Sequence, residues 1–143
     1  MTRHILMATG ALCLTLGATA QPAPSSAFDG AWRVNMTCLP YSARDDDAKP
    51  YKHEYPATVK GGVFEGTYGV PGEPGVNHLH GSIADDGSAR LKLEGIVRRP
   101  EYAVNNPEIG KPYSYRVDAS FSGNAGTGRR VGKRACDFRF ARM

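Results

Sequence analysis

The chain has 143 residues and a formal net charge of +4, with 41% hydrophobic and 22% charged residues. That length fits one domain of ordinary size. No stretch after the first twenty residues is apolar and long enough to enter a bilayer, and so mild a charge gives no reason to expect a nucleic-acid partner.

Residues 1–20 read as an export signal. Arg3 and His4 give a basic start, Ile5 to Leu16 an apolar run, and Ala18-Thr19-Ala20 the small-x-small pattern of a cleavage site. An acylated Cys13 is the rival reading, but Cys13 sits early and follows the bulky Leu12. Cleavage after Ala20 removes Arg3 and lowers the charge from +4 to +3. The expected product is periplasmic or secreted, monomeric and free of any transmembrane anchor. Residues 21–27 look like a flexible leader, and 28–143 like a single β domain.

From there the chain alternates. Trp32, Val34, Met36 and Cys38 share one face of a first strand over 30–38. Further strands are expected at 51–60, 63–69, 76–84, 88–98, 112–121 and 133–142, with turns at Gly61-Gly62, Val70 to Gly75, Asp85-Asp86-Gly87 and Gly123 to Gly128. No window carries a helical apolar stripe. The pattern is all-β, an antiparallel meander closing into a small barrel, with a β-sandwich as the alternative.

Cleavage leaves two cysteines, Cys38 and Cys136, which pair in an oxidising compartment. One lies at the end of the first strand and the other near the start of the last, so those strands should run antiparallel side by side. Seven strands in a strict meander would make them parallel. Either an eighth strand lies in 39–50 or 99–111, with Glu101 to Val104 the candidate, or one connection crosses over.

Several residues invite a chemical reading. His78-Leu79-His80 puts two imidazoles on one strand face, a spacing that ligates metal if a third donor arrives, with His53 or Glu54 as candidates. Arg129, Arg130, Lys133 and Arg134 form a basic cluster suited to an anion. The preceding Gly123 to Gly128 run resembles a phosphate loop, but strands flank it and the helix such a loop needs is missing. Trp32, Tyr55, Tyr68, Tyr113 and Tyr115, with Tyr51 and Tyr102, make an aromatic set suited to a pocket or contact face. There is no nucleophile elbow, no activated cysteine and no cofactor motif, and Asp45 to Asp47 lack the alternation of a calcium loop.

Gly30-Ala31-Trp32 opening the first strand, with Arg139 or Arg142 on the last, resembles the lipocalin and avidin-type (calycin) signature. In that signature a late arginine packs over the tryptophan. Across most of the mature chain, Phe28-Asp29-Gly30-x-Trp32 with Cys38, Tyr113-Ser114-Tyr115, Gly126-x-Gly128-Arg129-Arg130 and Cys136-Asp137-Phe138 resemble uncharacterised small secreted proteobacterial β proteins. The expectation is a non-enzymatic binding protein for a small ligand or protein partner. The alternative is an envelope-associated β domain meeting an anionic surface through its basic C-terminal strand.

Overall fold

The computed structural model describes residues 23–143, so Cys13 and the expected cleavage site lie outside the described residues. Ten strands follow one another: β1 (Gly30–Cys38), β2 (Tyr41–Ala43), β3 (Asp46–Ala48), β4 (Tyr51–Lys60), β5 (Val63–Tyr68), β6 (Asn77–Ile83), β7 (Ser88–Ile96), β8 (Pro112–Ser122), β9 (Ala125–Arg130) and β10 (Cys136–Arg142). Eight of them close into a barrel in the order β1-β10-β9-β8-β7-β6-β5-β4, while β2 and β3 pair separately as a small hairpin. Every neighbouring pair in the barrel is antiparallel. The fold is therefore a closed meander and not a sandwich. Closure leaves the eight-stranded barrel itself without a free edge.

The first and last strands are neighbours, and Cys38 and Cys136 are register partners across that seam. They form the disulfide, with Cα atoms 4.0 Å apart. The eighth strand lies in neither of the segments expected to hold it. Residues 39–50 hold the β2–β3 hairpin outside the barrel, and Pro100–Tyr102 is a short 3-10 turn. The missing strand is β9, in the glycine-rich segment that reads as a turn. Gly126 and Gly128 face the interior, where neighbouring rings take up the space. A Cβ on Gly126 would lie 2.8 Å from Phe121 Cδ1, and one on Gly128 3.2 Å from Phe140 Cε2. These glycines are there for packing, and only residues 123–124 make the turn.

The barrel has two unlike ends. At one, the connections are short and the interior is filled by Trp32, Phe64, Phe121 and Phe140, all buried. Phe121 sits among them, with ring centroids 5.4 Å from Trp32 and 4.8 Å from Phe140. Each such buried side chain contributes roughly 1.5–3 kcal/mol of transfer free energy. Residues 24–27, expected to be a free leader, are held across this end. Ser25 N donates to Ile83 O at 2.7 Å, and a 3-10 turn at Ser26–Phe28 inserts the ring of Phe28. Trp32 Nε1 then donates to Phe28 O at 2.8 Å, and the Arg142 guanidinium lies 5.1 Å over the Trp32 ring while donating to the carbonyls of Asp29 and Ala27. This end is sealed. The long connections, 39–50, 69–76, 97–111 and 131–135, all lie at the other end, beside the disulfide.

Candidate functional site

Strand alternation carries the interior face of the barrel up to the open end, and there its residues change character. Tyr51 and His53 on β4, Tyr68 on β5, Asn77 on β6, and Tyr113 and Tyr115 on β8 replace the phenylalanines below. Gly95 on β7 makes room for one of them, since a Cβ there would overlap the ring of Tyr113. Above these side chains a cavity of ≈ 510 Å³ opens, roofed by the 97–111 connection and bordered by Tyr102. A cavity of that size holds a small molecule, and an eight-stranded barrel is about wide enough for one.

The polar groups converge. Tyr113 Oη donates to Asn77 Oδ1 at 2.5 Å, and Asn77 Nδ2 bonds His53 Nδ1 at 3.1 Å. That chain assigns His53 Nδ1 as an acceptor, hence a neutral ring protonated on Nε2. The ring also stacks on Tyr68 with centroids 3.9 Å apart. Burial pushes the pKa of Tyr113 and Tyr115 up, so both stay protonated donors at neutral pH. Arg130 reaches in from β9 with its guanidinium 4.1 Å from the Tyr115 ring centroid, and its Nε is buried without a hydrogen-bond partner among the described residues.

The charge here has one sign. Four arginines line the cavity (Arg98, Arg99, Arg130 and Arg134), and among the described residues none that lines it is acidic. Arg134 is fully occupied by the protein. It is buried, lies 5.0 Å over the Tyr51 ring, and donates to the carbonyls of Leu39, Tyr102 and Lys49. From its own place in 131–135 it therefore ties the 39–50 and 97–111 connections to the rim.

The chain matches no family model, no curated protein and no solved structure.

The aromatic and basic sets that stand out in the sequence are thus redistributed. Tyr68, Tyr113 and Tyr115 line the cavity, joined by Tyr51 and Tyr102. Trp32 lies at the sealed end, and Tyr55 is buried in the wall beneath, with its hydroxyl unpartnered among the described residues. Of the basic cluster, Arg130 faces the cavity and Arg134 braces its rim. Arg129 is exposed on the outer wall, 3.3 Å from Asp137, and Lys133 is exposed in the β9–β10 connection. His78 and His80 also face outward, so His53, on the inner face, is no third donor for them. Glu54 points outward too, but toward Arg33 at 3.5 Å. His53 as a cavity residue, with Asn77 buried behind it, escapes a linear reading, because only barrel register brings the two together.

Burial holds the His53 pKa below its ordinary value of 6.5, since desolvation penalises the imidazolium. The unfolded chain therefore takes up a proton before the folded chain does. Stability from this residue is complete above pH about 6.5 and is lost as pH falls through the depressed folded value. Thermal unfolding at pH 7.5 and 5.5 should show a drop in Tm that is smaller in His53→Gln. An equal drop in the variant would remove His53 from the account.

Proposed function

We propose that the protein is an exported binding protein that takes a small, planar, anionic ligand into the open end of its barrel. The supporting observation is the cavity itself: tyrosine rings for stacking, and lining charge that is positive throughout. Arg130 lines that space, with its guanidinium over the Tyr115 ring. An anion bonded to it gains a charge-assisted hydrogen bond, the stronger kind. The calycin-like Gly30-x-Trp32 opening, with Arg142 packed over the tryptophan, fits such a role, because a sealed end and an open end suit a barrel that holds a ligand.

The competing reading, contact with an anionic surface through the C-terminal strand, has less charge to work with. Arg130, Arg134 and Arg142 turn inward or onto the sealed end, and Arg129 is paired with Asp137.

Benzoate, cinnamate and 2-naphthoate are suitable probes, with side-chain NMR of the tyrosines as the readout. The expected result is saturable shifts at Tyr51, Tyr113 and Tyr115, with Arg130→Gln weakening affinity roughly tenfold, the equivalent of one charged hydrogen bond at about 1.4 kcal/mol. Shifts that map to the outer wall, or affinity unchanged in Arg130→Gln, would overturn the assignment.

A further inference from the structure

On the outer wall, away from the cavity, β5, β6 and β7 bring two histidines and two glutamates to one patch. Register explains how. Glu65 on β5 stands directly opposite His80 on β6, and Glu94 on β7 stands directly opposite His78. Each imidazole instead bonds the diagonal carboxylate: His78 Nε2 lies 2.5 Å from Glu65 Oε2, and His80 Nε2 lies 2.9 Å from Glu94 Oε2. The two rings stack with centroids 4.5 Å apart and planes inclined by 19°. All four side chains are aimed at one another across the pleat.

We propose that His78, His80 and Glu94 form a site for a borderline divalent transition metal, Zn(II) or Cu(II), with Glu65 as fourth donor. One atom from each of the first three residues already lies within 4.8 Å of the other two. Ligands bound at about 2.0–2.2 Å to one tetrahedral ion sit roughly 3.4 Å apart, so small side-chain rotations suffice to close the site. The donor set decides the class of ion. Two imidazole nitrogens with carboxylate oxygens suit zinc or copper, whereas calcium and magnesium want oxygen alone. The backbone is held by ladders on both sides, and the side chains are partly exposed, 31% for His80 and 38% for His78, so an ion has access without unfolding. Lys92 Nζ holds Glu94 Oε1 at 2.6 Å and leaves Oε2 to face the histidines. Its positive charge opposes a cation, so removing it should tighten the site.

The test uses tag-free protein titrated with Zn(II) by calorimetry and with Cu(II) by EPR. The expected result is one equivalent of either metal, with superhyperfine coupling to two nitrogens in the copper spectrum. Binding is lost in the His78→Asn, His80→Asn double variant, weakened roughly tenfold or more in Glu94→Gln, and strengthened in Lys92→Ala. Amide shifts induced by Zn(II) in the unmodified chain should map to β5–β7, a readout that needs no variant to fold. No stoichiometric binding, shifts centred elsewhere, or a two-nitrogen signal surviving in the double variant would each overturn the proposal.

Discussion

Arg134→Met should destabilise the protein by about 3 kcal/mol and loosen the open end while leaving the sealed end intact. The guanidinium is buried, and its donors serve the carbonyls of Leu39 and Lys49, at the two feet of the β2–β3 hairpin, and of Tyr102 in the 97–111 connection. Methionine preserves much of the volume but leaves those acceptors without a donor, at roughly 1–3 kcal/mol each where water cannot replace it. The total stays below the simple sum because the rim relaxes into solvent. Arg134→Lys should recover only part of the loss, since an ammonium cannot reproduce a planar fork serving three carbonyls. Urea unfolding measures the global change. Amide exchange locates it: the N–H groups of Leu39 and Lys49, bonded to Ala135 O and Glu101 O, should lose protection, while that of Ser25, bonded to Ile83 O, should not. Uniform loss of protection would mean that Arg134 supports the whole barrel and not its rim.

Replacing both cysteines by alanine should cost about 2–5 kcal/mol. The bond joins register partners 98 residues apart, and a closed loop of that size removes much conformational freedom from the unfolded chain. Both residues are fully buried, so alanine leaves no polar group stranded in the wall. The native ladder between β1 and β10 remains, and far-UV circular dichroism should be unchanged at low temperature. The midpoint in denaturant should fall, and adding reductant to the parent protein should reproduce the shift. A parent protein whose midpoint ignores reductant under unfolding conditions would show that the covalent link adds nothing to the seam.

The seam is also the part of the fold most legible in sequence. Cysteines at the end of the first strand and near the start of the last point to antiparallel neighbours, and in a strict meander that requires an even strand count. The position of the extra strand is illegible for a physical reason. Gly126 and Gly128 look like turn residues when read along the chain, but they are small because Phe121 and Phe140 fill the space across the barrel. The site is legible by residue type but not by place. Alternation identifies the tyrosines as one-faced but does not say which end of a strand they occupy, so Trp32, at the sealed end, reads together with Tyr113 at the open one. Likewise His78 and His80 are visible as a pair. Their partners Glu65 and Glu94 lie on other strands and depend on register, which no spacing within one segment reveals.

The adjacency of β1 and β10 also governs when this molecule can become itself. Each internal hairpin can zip as soon as its two strands exist, but β1 keeps one side unmatched until β10 has been made. The pairing that completes the structure is the most distant along the chain, and such pairings form slowly because the intervening segment must first be gathered in. In a chain made N-terminus first, the barrel therefore cannot close before β10 has been added.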